Sequence, residues 1–155
     1  MLHYNFYKSD HPSNQLLILL HGFISDSQTY MNHIEAFLTQ CNILTIDLPG
    51  HGKDDSPIDQ TWDFPYITEQ INRVLSQFEK YKFSLLGYSM GGRVALYYTI
   101  YGQYEIKQLI LESTSPGIAD ETLRKERQAI DQARGRVLEI AGIEVFVNDW
   151  EKLPL

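Results

Sequence analysis

A serine between two glycines is the feature that most constrains how this chain can fold. Residues 87–91 read Gly-Tyr-Ser-Met-Gly, directly after an apolar run at residues 82–86 and directly before a helix-like run at residues 93–101. In this setting a Gly-x-Ser-x-Gly motif predicts a sharp, strained turn, because a Cβ at either glycine would clash with the neighbouring strand and helix. Such a nucleophile elbow projects the hydroxyl of Ser89 above the sheet, beside the N–H groups that begin the helix.

Strand-like and helix-like segments alternate along most of the chain. Short apolar runs predict strands at residues 2–8, 15–20, 42–46, 82–86 and 108–112. Apolar residues at helical spacing predict helices at residues 27–38, 64–78 and 93–101. This alternation predicts an α/β fold with a mostly parallel sheet and helices on both of its faces.

The alternation ends at a Pro-Gly pair, residues 116–117. Residues 120–141 then predict one long helix and residues 145–150 a second, short one, and no strand-like run follows. We therefore interpret residues 1–118 as the amino-terminal part of an α/β core and residues 119–155 as the beginning of a helical cap.

Composition excludes several classes of partner. The net charge of −7 argues against general attraction to nucleic acid or to anionic membranes. Cys41 is the single cysteine, so no internal disulfide can form and a reducing, cytoplasmic location is expected. The amino terminus lacks the regions of a signal peptide, and no apolar run approaches the roughly 20 residues that span a bilayer. Most arginines follow the elbow, which allows a local site for a small anionic ligand.

Four loops should meet at one edge of the sheet. They follow the predicted strands and are polar or rich in glycine: residues 21–23, 47–52, 87–92 and 112–117. In an open parallel sheet, sites form at the carboxyl ends of the strands. One such loop could be coincidence, but four at the same edge predict a functional site there.

These loops resemble those of a known superfamily. Residues 20–23, 47–52 and 87–93 are similar to the corresponding loops of α/β-hydrolases. The arginine after the double glycine, Arg93, and three further segments narrow the resemblance: residues 112–118, 124–131 and 146–150. Together they resemble the 2-succinyl-6-hydroxy-2,4-cyclohexadiene-1-carboxylate synthase family of menaquinone biosynthesis, over essentially the whole chain.

The resemblance implies a lyase that needs no cofactor and no metal. This family eliminates pyruvate from 2-succinyl-5-enolpyruvyl-6-hydroxy-3-cyclohexene-1-carboxylate and uses a Ser-His-Asp triad as the base. Ser89 matches the serine of that triad. The positions that match substrate-contacting residues of the family are Tyr88, Arg93, Arg127 and Trp150. Arginines suit such a small anionic substrate, because the guanidinium fork pairs with carboxylates.

The superfamily also implies an oxyanion hole. It would consist of the backbone N–H groups of Phe23 and Met90. Because the base follows the serine in this fold, we expect His21 to shape its loop by hydrogen bonding rather than to act as the base. Structural support is likewise the expected role of Asp47 and His51. The other histidines should lie away from this edge: His3, His11 and His33.

Helical geometry separates two arginines of the predicted cap helix. At 100° per residue, Arg127 falls about 60° and Arg124 about 120° from Ile130. Ile130 shares an apolar face with three other residues: Ala133, Val137 and Ile140. We therefore expect Arg127 to point inward at the edge of that face and Arg124 to be solvated.

The chain departs from the family pattern at the triad. The superfamily order is serine, then acid, then histidine, yet no histidine follows His51. We therefore expect the chain to be a fragment and to be catalytically silent by itself. Two alternatives stay open. One is a carboxylesterase or thioesterase in which Ser89 attacks an acyl carbon, and the other is an inert fragment or a binding domain. The sequence does not indicate an oligomeric state.

Overall fold

The computed structural model describes residues 1–153 and contains one five-stranded sheet. Its strands are β1 (Tyr4–Tyr7), β2 (Gln15–Leu20), β3 (Asn42–Ile46), β4 (Lys82–Tyr88) and β5 (Ile106–Glu112). They lie side by side in the order β1-β3-β2-β4-β5. Strands β2 to β5 are parallel to their neighbours, whereas β1 is antiparallel to β3. The predicted mostly parallel sheet is therefore confirmed.

Five α-helices accompany the sheet in the described residues. They are α1 (Met31–Leu38), α2 (Phe64–Leu75), α3 (Met90–Tyr101), α4 (Glu121–Ala141) and α5 (Ile143–Trp150). A 3-10 turn, Ser27–Tyr30, precedes α1. Aspartate side chains cap two of the longer helices: Asp63 accepts from the N–H of Tyr66, and Asp120 accepts from the N–H of Leu123. These caps satisfy backbone donors that the first helical turn leaves unpaired.

Alternate side chains of the central strands enter two separate cores. One face of the sheet packs on residues of α2 and α3, among them Ile71, Val94 and Tyr98. The strand side chains on this face are Leu16, Ile18, Leu20, Leu44 and Ile46. Strand residues Leu17, Leu19 and Ile43 pack on the other face with Tyr30 and Ile34, which lie in the 3-10 turn and α1. Helices thus cover both faces of the sheet, which explains why β2 is a continuous apolar run after Gln15 and why every residue of β3 is buried.

Strand β5 lies at the edge of the sheet and differs from the central strands. Four of its seven side chains are apolar, and two of these are substantially exposed: Ile110 at 46% and Leu111 at 42%. Among the strands of the described residues it pairs with β4 alone, with Tyr88 opposite Glu112 at the carboxyl ends of the two strands. This register places the loop after β5 directly beside the elbow.

The chain forms two compact units, and the boundary between them lies within the Pro-Gly pair. The first ends at Pro116 and the second begins at Gly117. In the second unit α4 packs on α5, and Phe146 of α5 is buried. No side chain of α4 is buried. The predicted apolar face of this helix is therefore exposed, Ile130 included. The assignment of this unit to a cap stays a prediction. No helix in the described part of the chain is long and apolar enough to cross a membrane.

Candidate active site

The turn between β4 and α3 has the geometry of a nucleophile elbow. Ser89 has φ 51° and ψ −111°, a strained conformation for a residue other than glycine. A Cβ added at Gly87 would lie 2.4 Å from the carbonyl oxygen of Gly91. A Cβ added at Gly91 would lie 2.2 Å from the carbonyl oxygen of Leu20. The steric need for both glycines is therefore confirmed, while the catalytic role of Ser89 stays a prediction.

Backbone strain in the described residues is concentrated around this elbow. Three residues other than glycine have positive φ: Ile24, Ser89 and Ser113. They lie in the loops that follow β2, β4 and β5, three neighbouring strands whose carboxyl ends meet at one edge. Strain of this kind clusters at functional sites, because it persists only where the surroundings enforce it. Nothing in the sequence signals it at Ile24, since β-branched residues rarely adopt positive φ.

The loop after β2 contacts the elbow directly. A Cβ added at Gly22 would lie 3.6 Å from the Cβ of Ser89 and 2.9 Å from the ring of Tyr88. Phe23 follows Gly22, and Met90 begins α3, where backbone N–H groups lack intrahelical partners. The fold thus brings the two predicted oxyanion-hole segments together at Ser89. That the N–H groups of Phe23 and Met90 bind an oxyanion stays a prediction.

His21 joins two of the four loops. It is fully buried; its Nδ1–H donates to the carbonyl of Gly22 at 2.7 Å, and its Nε2 accepts from the N–H of Leu48 at 3.0 Å. Both contacts require the neutral imidazole with its proton on Nδ1. Burial lowers the pKa of His21, which favours the same form. The expectation that His21 shapes its loop is confirmed, and neither ring nitrogen is available to Ser89.

The contact with Gly22 also orients the predicted oxyanion hole. The carbonyl of Gly22 and the N–H of Phe23 belong to the same peptide unit, which is planar and trans. Fixing that carbonyl therefore fixes the direction of the N–H of Phe23. His21 holds this peptide in place through one hydrogen bond and anchors itself to Leu48 through the other.

Asp47 holds three segments together behind the site. Its buried carboxylate accepts from the N–H of Ser27 at 2.8 Å, the N–H of Lys53 at 3.0 Å and Nδ1–H of His3 at 2.9 Å. Burial by itself raises the pKa of this carboxyl, but the hydrogen bonds, led by those from Lys53 and Ser27, outweigh it and hold the pKa below its ordinary value. His51 also has a structural contact, because its Nδ1–H donates to the carbonyl of Pro49 at 2.9 Å. The supporting roles expected of Asp47 and His51 are confirmed.

The expected position of His3 was wrong. We expected His3 away from this edge of the sheet, but it binds Asp47 directly. The reason is the antiparallel pairing of β1 with β3, in which Tyr4 lies opposite Ile46. The start of β1 therefore lies beside the carboxyl end of β3.

Tyr88 and Arg93 flank Ser89 on the two sides of the turn. Tyr88 is 37% exposed, and Arg93 is half-buried in the first turn of α3. The guanidinium of Arg93 donates to the hydroxyl of Ser115 at 3.4 Å, a weak contact. A cation in the first turn opposes the helix dipole, so local helix stability does not account for an arginine there. Its predicted role in binding an anion remains a prediction.

The second unit contains the other two predicted substrate contacts. In α4, Nε of Arg127 donates to both carboxylate oxygens of Asp131, at 2.9 and 2.8 Å, and both side chains are about half exposed. In α5, the ring of Trp150 stacks on Phe146 with 6.1 Å between centroids, and the guanidinium of Arg134 lies 5.0 Å from the Trp150 ring. The roles of Arg127 and Trp150 in substrate binding stay predictions.

An open cavity lies elsewhere in the first unit, away from the elbow. It measures about 980 Å³ and is lined by residues 8–14 together with Asn42, Lys80 and Tyr81. These residues lie at the amino-terminal ends of the parallel strands, opposite the elbow. None of the predicted site residues lines this cavity. Within the described residues, no group of three His, Cys, Asp or Glu side chains is arranged to hold a metal ion.

Comparison with known families agrees with this geometry. A family model described as "alpha/beta hydrolase fold" matches residues 15–139. This chain belongs to the α/β-hydrolase family. The match includes β2 to β5 and the elbow, and therefore every loop that meets at the site edge.

Individual relatives narrow the position of this α/β-hydrolase within its family. The structure of MenH from S. aureus is 58% identical with a TM-score of 0.95, and the match covers 99% of this chain and 58% of that chain. The 2-succinyl-6-hydroxy-2,4-cyclohexadiene-1-carboxylate synthase of Salmonella typhimurium is 32% identical over 145 residues, which cover 93% of this chain and 56% of the relative. An esterase from Exiguobacterium antarcticum shares the fold, with 24% identity and a TM-score of 0.71. That match covers 87% of this chain and 52% of the esterase chain.

The predicted resemblance is thereby confirmed. This α/β-hydrolase is a homologue of 2-succinyl-6-hydroxy-2,4-cyclohexadiene-1-carboxylate synthase. The chain spans about half the length of the curated bacterial synthases that it matches.

Proposed function

We propose that this chain contributes the serine and part of the substrate site of a lyase that releases pyruvate in menaquinone biosynthesis. The substrate would be 2-succinyl-5-enolpyruvyl-6-hydroxy-3-cyclohexene-1-carboxylate. The observation that carries the proposal is the 58% identity to S. aureus MenH over 99% of this chain. The Salmonella relative is named for its product, 2-succinyl-6-hydroxy-2,4-cyclohexadiene-1-carboxylate, which we take as the product here.

The proposed reaction is a proton abstraction followed by loss of an oxygen leaving group. A base removes the proton from ring carbon 2, next to the succinyl carbonyl, and negative charge develops on the carbonyl oxygen. The ring double bond shifts as the bond between carbon 5 and the enolpyruvyl oxygen breaks. The departing enolpyruvate takes up a proton and becomes pyruvate, and the ring becomes a conjugated diene.

The backbone around Ser89 suits the developing charge. The N–H groups of Phe23 and Met90 would donate to the carbonyl oxygen as it becomes negative. Donors fixed in this way contribute about 3 kcal/mol each to transition-state stabilisation in enzymes with oxyanion holes. The contacts of His21 support this assignment, because they hold the peptide that carries the Phe23 donor.

Arginines would bind the carboxylates of the substrate. Arg93 lies in the first turn of α3, four residues after Ser89, and within the described residues its guanidinium forms no ion pair with a carboxylate. Arg127 is paired with Asp131, so binding a substrate carboxylate would require it to exchange one anion for another. We assign Tyr88 and Trp150 to contacts with the ring and its substituents.

Ser89 is the only triad member that we assign to this chain. A serine hydroxyl is a weak base unless a histidine accepts its proton. His21 uses both ring nitrogens in other hydrogen bonds, and Nδ1 of His51 donates to a backbone carbonyl. The remaining histidines precede Ser89 as well, in contrast to the order of the superfamily.

The test uses the complete gene product that contains this chain. Pyruvate release is measured with the proposed substrate by coupling to lactate dehydrogenase. We expect Ser89→Ala to lower kcat by about 10³-fold or more and to change substrate binding little. The matched control is Ser76→Ala, which removes an exposed hydroxyl after α2 and should leave kcat unchanged.

A parallel assay distinguishes the esterase alternative. The same proteins are incubated with a neutral p-nitrophenyl ester. Ser89-dependent hydrolysis of this ester without any release of pyruvate would contradict the proposal and favour a carboxylesterase. Pyruvate release that survives Ser89→Ala would contradict the role of the elbow.

A further inference from the structure

The backbone of Ser89 is held by the segment that ends β5 and follows it. The N–H of Ser89 donates to the carbonyl of Glu112 at 2.9 Å. The hydroxyl of Thr114 donates to the carbonyl of Ser89 at 2.7 Å. Both backbone polar groups of the strained residue are therefore bound by residues 112–114, at the end of β5 and in the loop that follows it, which are distant in sequence.

The hydrogen bond from Thr114 is the shortest one to the carbonyl of Ser89. The same carbonyl also accepts from the N–H of Gly92 at 3.1 Å and from the N–H of Arg93 at 3.3 Å. Those two contacts belong to the beginning of α3 and form in any helix that starts at this point. The hydroxyl of Thr114 is the contact that does not follow from helix formation.

Steric contact keeps Thr114 in register with the elbow. A Cβ added at Gly92 would lie 2.6 Å from Cγ2 and 2.8 Å from Oγ1 of Thr114. Gly92 therefore allows the loop and the helix to approach closely enough for the hydrogen bond to form. Ser113, between the two residues that bind Ser89, has φ 47°, so the loop itself adopts a strained turn to present Thr114.

We propose that Thr114 is a positioning residue that keeps Ser89 in the strained elbow conformation through the hydrogen bond from Oγ1 to the Ser89 carbonyl. A residue other than glycine leaves positive φ readily unless its surroundings prevent it. Thr114 acts on the direction of the Ser89 side chain without touching the substrate. Its effect on catalysis rests on the proposed function, but its effect on the elbow does not.

Hydrogen exchange, measured by mass spectrometry on the 155-residue chain, tests the effect on the elbow. Thr114→Val keeps the shape of the side chain and removes the donor, and Thr114→Ser keeps the donor. We expect peptides spanning residues 88–93 to exchange about tenfold faster in Thr114→Val and at the wild-type rate in Thr114→Ser. The matched control is Thr99→Val, which removes the hydrogen bond from a threonine of the same helix to the carbonyl of Ala95.

Two results would overturn the proposal. One is unchanged exchange of residues 88–93 in Thr114→Val, since the elbow would then hold without this hydrogen bond. The other is equal acceleration in peptides from β2 and β3, since the threonine would then stabilise the whole sheet rather than the elbow. A Thr114→Val protein that does not fold would count as the second result and would likewise overturn the proposal.

An activity measurement on the complete gene product separates this proposal from the proposed function. Thr114→Val should lower kcat for pyruvate release about tenfold with little change in KM, and Thr114→Ser should restore it. Loss of exchange protection without any pyruvate-releasing activity in the wild type would contradict the proposed function alone. Unaltered kcat in an active Thr114→Val enzyme would contradict the positioning role.

Discussion

Replacing His21 by leucine should destabilise the first unit strongly. The change leaves the carbonyl of Gly22 and the N–H of Leu48 without the partners that they have in the native protein. Both residues are buried, and an unsatisfied buried backbone group costs about 1–3 kcal/mol. The expected loss is therefore about 2–6 kcal/mol, a large part of the roughly 5–15 kcal/mol that stabilises a typical domain.

The same substitution should remove a pH dependence of stability. Because burial lowers the pKa of His21, the unfolded chain binds a proton at this residue more readily than the folded protein does. Stability should therefore fall as the pH drops below the ordinary histidine pKa of 6.5, by at most about 1.4 kcal/mol per pH unit for this one group. Asp47 does not contribute in this range, since its pKa is already below its ordinary value of 3.8.

Urea unfolding at pH 7.5 and 5.5 measures both effects. His33→Leu serves as the control, because His33 is exposed on α1 and its loss should leave the free energy of unfolding nearly unchanged. An unfolding free energy of His21→Leu within about 1 kcal/mol of wild type would refute the reasoning. An unchanged difference between the two pH values would refute the assignment of a buried, neutral His21.

Two further predictions concern the substrate site and the sheet edge. Arg93→Ala in the complete gene product should raise KM for the carboxylated substrate about tenfold or more, while the control Arg124→Ala should leave it unchanged. Steady-state kinetics on that substrate and on a neutral ester provide the test, and equal losses on both substrates would indicate a structural role. Leu111→Lys should reduce self-association of the 155-residue chain in sedimentation velocity, because exposed apolar residues on an edge strand promote pairing between copies. The control Ile58→Lys changes a 92% exposed position away from the sheet and should leave self-association unchanged. Self-association of Leu111→Lys at the wild-type level would contradict the prediction.

Features with a local steric cause could be predicted from the sequence. The elbow is one example, because Gly87 and Gly91 are required by contacts within a single strand-turn-helix unit. The central strand β2 is another, since its continuous apolar run at residues 16–20 is typical of a parallel strand that is covered on both faces. Helix α3, however, begins at Met90 rather than at Arg93, because the strained serine itself provides the start of the helix.

Features that depend on contacts distant in sequence could not be predicted. The direction of β1 leaves no trace in a four-residue strand, and the contact of His3 with Asp47 was missed with it. The partners of His21 and the hydrogen bond from Thr114 to Ser89 likewise arise only when the loops meet. A histidine or a threonine in such a loop has many other uses, so its identity does not reveal its partner.

The most direct test of the account follows both products of the proposed reaction at once. The complete gene product is incubated with 2-succinyl-5-enolpyruvyl-6-hydroxy-3-cyclohexene-1-carboxylate while pyruvate and the ultraviolet absorbance of the conjugated diene are recorded. We predict that pyruvate and diene form in equal amounts and that Ser89→Ala abolishes both. Absence of pyruvate and diene with the wild-type protein, or their formation at the wild-type rate with Ser89→Ala, would contradict the account.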